Sequence, residues 1–302
     1  VKSTEASDGV GQVKTSRGKV HNYLGMVLDF TEPGAVRISM DDYVARMLES
    51  FPGGIKGTAA TPAAQYLFST RETVQPLDKE RSAIYHTMVA KALFACKRAR
   101  PDIQLAVAFL STRVQFPDED DWKKLLRMLK YLNGTKALAL KLTADNTSIL
   151  KWYVDSSFAV HPDCRGHTGG VLTLGEGAAY SQSTKQKINA RSSTESELIG
   201  IDEVMPQVLW TNYFLHEQGV SVKNTLMYQD NKSTILLAEN GKASSSKRTK
   251  HINVRYFFIT DRIRTKEISV QYCSTDDMVA DYYTKPLHGA KFLKFRRMIM
   301  NE

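Results

Sequence analysis

The chain has 302 residues, with 41 Lys+Arg against 32 Asp+Glu and a formal net charge of +9. That length suits two modest domains, and the positive balance favours a polyanionic partner. Only Cys96, Cys164 and Cys273 are present, which excludes a disulfide framework and points to a reducing compartment. Apolar runs such as Leu105 to Leu110 are far too short to cross a bilayer, and residues 1–20 lack the apolar core of a signal peptide. The opening Val, in place of Met, leads us to expect a piece of a longer polypeptide.

Residues 19–30 alternate apolar and polar in strand fashion, and Glu32-Pro33-Gly34 supplies a turn before a returning strand at Val36 and Ile38. Asp41 and Asp42 open a helix whose apolar face is Tyr43, Val44, Met47, Leu48 and Phe51. Pro52-Gly53-Gly54 stops it. Residues 55–80 show little periodicity and read as an extended linker. Two amphipathic helices are predicted at 81–98 and 102–114, broken at Pro101, and a third follows Pro117.

The second half changes character. Strands are expected at 149–159, 168–174 and 178–183, with Gly169-Gly170 and Gly175/Gly177 at turns. A long helix at 194–218 contains Pro206, which removes a backbone donor and predicts a kink. A strand (225–229), a short helix (231–240), a basic helix (250–264), a strand (267–273) and C-terminal helices complete a mixed α/β order.

Four acids stand in four of these segments. Asp155 lies inside the apolar strand Lys151-Trp152-Tyr153-Val154-Asp155, where Asp is disfavoured unless it has a role. The plain alternative is an outward-facing strand end. Glu197 fits a capping box with Thr194, as Glu195 does with Ser192, so capping alone accounts for it. Asp230 follows a strand and precedes a helix, the position of an N-cap. Asp281 has no capping duty, because Asp276 or Asp277 serves there. Separately these signals are weak. Together they set carboxylates on a first strand, a first helix, a fourth strand's end and a late helix, the layout that a pair of hard divalent cations requires. Two such ions roughly 3.5–4 Å apart can clamp the attacking and leaving oxygens of a phosphodiester.

The same residues resemble a family. YVDSS (153–157), SSTESEL (192–198), YQDN (228–231), KRTKHI (247–252) and ADYYTKPL (280–287) are similar to the ribonuclease H domain of copia-type retrotransposon Pol polyproteins. Upstream, NYLGM (22–26), RARPDIQLAV (98–107) and KYLNGTK (130–136) resemble the C-terminal part of the same polyprotein's reverse transcriptase.

The resemblance implies an α/β fold, a ribonuclease H-like mixed five-stranded sheet flanked by helices, preceded by a mainly helical thumb- or connection-like module. The implied division is a residual reverse-transcriptase hairpin and helix at 1–60, a helical region at 61–148 and the ribonuclease H-like domain at 149–302. It implies cleavage of the RNA strand of RNA–DNA hybrids by two Mg²⁺ or Mn²⁺ ions, with Asp155, Glu197, Asp230 and Asp281 as catalytic and metal-binding acids. Partners would be the hybrid and an upstream polymerase portion, with no membrane, in a cytoplasmic retroelement particle or the nucleus. Two positions depart from the pattern: Ser157 stands where many relatives carry a second strand Asp, and Tyr272-Cys273-Ser274 replaces the region of a mobile His.

Met40-Asp41-Asp42 looks like a polymerase Tyr-x-Asp-Asp hairpin only superficially, since a helix face follows, and no polymerase activity is expected of this chain. His161, Cys164 and His167 have zinc-like spacing but offer at most three ligands where structural sites close with four, so a polar loop is expected. Lys242, Lys247, Arg248, Lys250, Arg255, Arg262, Arg264 and Lys266 face Asp261 alone. With His251 and Asn231 they form the candidate nucleic-acid surface, which Lys97, Arg98 and Arg100 would extend. Two alternatives remain: an inactive or co-opted nucleic-acid-binding remnant, and a transposase or integrase of the same fold. The latter is opposed by ADYYTKPL with Asp as the final acid.

Overall fold

The computed structural model describes residues 17–71, 73–145, 148–241 and 253–302, with backbone only at 253–257. Nineteen to thirty is not one strand. It folds back at Leu24-Gly25 into β1 (Val20–Tyr23) and β2 (Met26–Asp29), with Tyr23 paired to Met26. Both turn residues have positive φ, 49° and 79°, as a two-residue hairpin with the right twist requires. β3 (Ala35–Ser39) follows, and α1 (Asp41–Glu49) carries Asp41 and Asp42 in its first turn, as expected.

Among the described residues, no helix or strand interrupts the stretch from α1 to α2 (Lys79–Cys96). A 3₁₀ turn at Pro101–Ile103 leads into α3 (Gln104–Ser111), and α4 (Glu119–Gly134) starts from a capping box between Asp118 and Asp121. A further strand, β4 (Leu140–Thr143), pairs antiparallel with β3 and completes a four-stranded sheet in the order β1-β2-β3-β4.

The second sheet is built from β5 (Ile149–Ser157), β6 (His167–Thr173), β7 (Tyr180–Lys185), β8 (Asn224–Gln229) and β9 (Ser269–Tyr272). Its order is β7-β6-β5-β8-β9: β5, β6 and β7 pair antiparallel, whereas β8 and β9 run parallel to β5. This is the mixed five-stranded, ribonuclease H-like sheet that the resemblance implies. α5 (Ser193–Glu217) runs through Pro206 as one helix, followed by α6 (Lys232–Asn240), α7 (Asn253–Arg264), a 3₁₀ turn at Val279–Tyr283 and α8 (Gly289–Met300).

Period-two alternation sorts the residues of β5. Leu150, Trp152 and Val154 pack with Leu198, Ile201, Val204 and Val208 of α5 into one core. On the opposite face Tyr153 joins a second core that includes Val171, Val279, Tyr282, Phe292, Tyr131, Phe109 and Leu105. The helical module and the C-terminal elements thus share one apolar interior. Gly169 and Gly170 lie in the middle of β6 and not at a turn, because both faces of the sheet are approached closely there. A Cβ at Gly170 would meet Val204 Cγ2 at 2.9 Å, and one at Gly169 would meet the Ala280 carbonyl oxygen at 2.9 Å.

Candidate active site

At the carboxyl end of β5 three carboxylates converge. Asp155, Glu197 and Asp230 each offer one oxygen, and these oxygens all lie within 4.8 Å of one another. Local chemistry explains how each acid becomes available. Ser192 caps α5 by accepting the Glu195 N–H at 3.2 Å, and Glu195 in turn accepts the Arg191 N–H at 2.7 Å. The cap is therefore Ser192, with Glu195 folded back onto the N–H just before it, which leaves Glu197 one turn in to face the sheet. Likewise the cap of α6 is Asn231, whose side chain accepts from Thr234 N–H at 3.1 Å, and Asp230 is spared that duty.

Gln229 organises the junction. It is fully buried; its amide donates to Glu197 Oε2 at 3.2 Å, and its carbonyl oxygen accepts the Asp230 and Asn231 N–H groups at 2.8 and 3.0 Å. One side chain thereby aims a helix acid and shapes the strand end that carries another.

Asp281 sits in the 3₁₀ turn at Val279–Tyr283, and not one turn inside an α-helix. It lies outside the three-oxygen group but is tied to it. The Lys285 ammonium reaches Asp281 Oδ1 at 2.5 Å and Asp155 Oδ1 at 3.3 Å. Lys291 donates to Asp281 Oδ2 at 2.7 Å, and the Thr284 hydroxyl donates to Asp155 Oδ2. Thr275 closes the circuit by donating to Asp230 Oδ2 at 2.9 Å. Ser157 donates to the Thr284 carbonyl at 3.1 Å.

The electrostatics follow from burial. Asp155 and Asp281 are 1% exposed and Glu197 is 6% exposed. Desolvation pushes the Asp155 carboxyl up to about 6, with Asp281 and Asp230 adding to the rise and Lys285 opposing it. Desolvation, then the Asp155 and Asp230 charges, raise Glu197 well above the usual carboxylate range. Although burial disfavours its charge, Asp155 and Asp281 hold the Lys285 ammonium protonated more firmly than a free lysine. Oxygen donors crowded this closely fit a hard divalent cation, the charge that relieves their repulsion.

The other expected residues fall differently. Lys247, Arg248, Lys250 and His251 lie outside the described residues, as does the Arg255 side chain. Arg262 is engaged internally, with Glu267 at 2.7 Å. Arg100 does not extend a surface track: it is 1% exposed and chelates Asp102 at 2.9 and 2.8 Å. The stretch from His161 to His167 is the expected loop between β5 and β6, with Pro162, Asp163 and Cys164 exposed, but its two histidines turn inward. Both histidines are buried, His161 Nε2 meets His167 Nδ1 at 3.0 Å, and His167 Nε2 meets the Ser183 hydroxyl at 2.7 Å.

No protein-family model matches the chain. Among curated proteins it is 32% identical over 260 residues to the retrovirus-related Pol polyprotein from transposon TNT 1-94 of Nicotiana tabacum, a match covering 84% of this chain and 19% of that one. It is 35% identical over 202 residues to the Pol polyprotein from transposon RE2 of Arabidopsis thaliana, covering 66% and 14%. The chain belongs to the copia-type retrotransposon Pol polyproteins. This Pol segment spans less than a fifth of the length of either relative. Solved structures similar to it include LC11-RNase H1 in complex with an RNA/DNA hybrid, with a TM-score of 0.34 and 11% identity, covering 44% of this chain and 92% of that one. Another is the foamy viral protease-reverse transcriptase in complex with dsDNA, with a TM-score of 0.46 and 11% identity, covering 85% and 45%.

Sequence reasoning missed four supporting side chains of this Pol segment: Gln229, Thr284, Lys285 and Lys291. Gln229 had a signal in its place directly before Asp230, and Thr284 and Lys285 stand inside ADYYTKPL. What they touch lies more than 30 residues away for Gln229 and more than 120 for Thr284, so no local pattern discloses it.

Proposed function

We propose that this segment is a ribonuclease H that hydrolyses the RNA strand of RNA–DNA hybrids during retrotransposon reverse transcription. The observation that carries this reading is the convergence of Asp155, Glu197 and Asp230 from β5, α5 and the β8–α6 junction. Asp281 stands next to them, through Lys285.

In this reading Asp155, Glu197, Asp230 and Asp281 hold two Mg²⁺ or Mn²⁺ ions. When bound, such a pair supplies Lewis acidity and positive charge at the attacking and leaving oxygens of the scissile phosphate. The protein's own residues prepare the place. Glu197 would give up its proton on becoming a ligand, since burial and the neighbouring carboxylates favour its neutral form beforehand, whereas Asp155, pushed up only to about 6, is already ionised at neutral pH against the Lys285 ammonium. Gln229 keeps Glu197 aimed at the site, and Thr284 holds Asp155 Oδ2 while Oδ1 faces Lys285. Asn231 caps α6 through Oδ1, which leaves its amide N–H groups to serve the substrate sugar–phosphate chain.

The basic stretch containing Lys247, Arg248, Lys250, His251 and Arg255 grips phosphates and so positions the hybrid without reading its sequence. Binding therefore weakens steeply with salt. The deciding experiment incubates the chain with labelled RNA–DNA hybrid, RNA duplex and DNA duplex in Mg²⁺, beside an Asp230→Asn variant. RNA cleavage confined to the hybrid and lost in the variant is expected. Binding without cleavage by the unmodified chain overturns the reading in favour of a co-opted remnant.

A further inference from the structure

The Lys285 ammonium occupies a position that a divalent ion shared by Asp155 and Asp281 would need. It lies 3.3 Å from Asp155 Oδ1 and 2.5 Å from Asp281 Oδ1. Mg²⁺ binds carboxylate oxygens at about 2.0–2.1 Å, so ammonium and ion cannot share those oxygens. Both carboxylates are 1% exposed, yet the Lys285 side chain is 40% exposed. Its stem thus rises from the surface and delivers one charge into a pocket that water barely reaches. The backbone beneath it is fixed, because Lys285 N–H donates to the Asp281 carbonyl at 2.9 Å and Pro286 follows. Withdrawal to solvent needs only rotation about side-chain bonds. The remaining oxygens stay held throughout, Asp155 Oδ2 by Thr284 and Asp281 Oδ2 by Lys291.

We propose that Lys285 is a built-in counter-cation: its ammonium binds Asp155 to Asp281 in the metal-free protein and must swing out before an ion can bridge that pair. This rests on the reading of the four acids as a divalent metal site. Lys285 is accordingly a positioning residue that sets how much divalent ion the site needs. Lys291 serves as an internal control. It is 34% exposed and reaches Asp281 and the Thr275 carbonyl but not Asp155, so its loss loosens Asp281 without clearing the shared position.

The test uses the full chain without nucleic acid. Mn²⁺ is titrated into the unmodified protein and the Lys285→Met, Lys285→Arg and Lys291→Met variants, with bound ions counted by electron paramagnetic resonance and affinity read by calorimetry. Lys285→Met should lower the half-saturating concentration for one ion by about tenfold or more, while Lys285→Arg leaves it near the original value. An equal half-saturation in Lys285→Met and the unmodified protein overturns the proposal and leaves the nuclease reading standing. Absence of ion binding to every protein overturns both. Should Lys285→Met not fold without metal, ¹⁵N-lysine spectra of the unmodified chain decide the matter. An ion-paired Lys285 ammonium resonance that disappears as Mg²⁺ is added supports the proposal, and one that persists at saturating Mg²⁺ ends it.

Discussion

Gly169 lies directly across the β5–β6 ladder from Asp155, and the space where its side chain would stand is filled by the turn that carries Asp281. A Cβ there would sit 2.7 Å from Thr284 Cγ2, 2.9 Å from the Ala280 oxygen and 3.0 Å from Tyr283 Cβ. The missing side chain lets two distant acids share one site.

Gly169→Ala should therefore destabilise the chain by about 1–3 kcal/mol, the usual cost of overpacking. Its loss of hybrid cleavage should exceed that of Gly170→Ala, which strains the opposite face against Val204. Paired denaturation and cleavage assays on the two variants check this; equal activity in both would refute it.

Asp155→Asn and Glu197→Gln should each reduce cleavage by about a hundredfold or more. Stability should move the other way. The Asp155 carboxyl is raised from its usual range to about 6, so its stabilising contribution is complete below pH 3.8 and is lost as pH rises through about 6. In chelator, Asp155→Asn should then melt above the unmodified protein at pH 7.5, with the gap vanishing near pH 4. Calorimetric scans across that window supply the measurement.

The histidine pair predicts an acid limb. Ser183 spends its only hydroxyl proton on the Tyr283 carbonyl at 2.8 Å, so His167 must donate from Nε2 and accept at Nδ1 from His161. Burial pushes His161 down to about 4 and His167 to about 3. A depressed base stabilises the fold above its ordinary value of 6.5 and loses that contribution as pH falls through the folded values. Stability should decline between pH 6.5 and 3, less steeply in His167→Gln. Identical slopes in urea titrations at several pH values would contradict this.

Arg100 and Asp102 form a buried pair completed by Thr135, by the Tyr131 hydroxyl at 2.8 Å and by Tyr282, whose hydroxyl meets the Asp102 carbonyl at 3.1 Å. Arg100→Met should cost about 3–5 kcal/mol by stranding Asp102, and adding Asp102→Leu should return part of it. Urea midpoints of the single and double variants are the readout.

Asp155 was legible because a carboxylate inside Trp152-Tyr153-Val154 contradicts its surroundings. Glu197 was obscured, since two overlapping capping boxes satisfy the same local spacing and only packing selects Ser192 with Glu195. Gly169-Gly170 imitates a turn, because sequence does not reveal what approaches a sheet from either side. The hairpin at Leu24-Gly25 was hidden for a related reason: leucine rarely takes positive φ. Arg100 resembled the exposed Lys97 and half-buried Arg98 beside it, since nothing local discloses that it turns inward to Asp102.

The shared interior of the helical module and the C-terminal elements has a practical outcome for anyone trimming the gene. Tyr282 and Tyr283 flank the last acid and lodge among Phe109, Tyr131 and Leu105. A clone starting at residue 149 would leave that aromatic ridge bare to water, and the loop bearing Asp281 would lose the wall it leans on. Such a shortened protein should be sticky, poorly behaved in solution and weak in cleavage even with every acidic group retained.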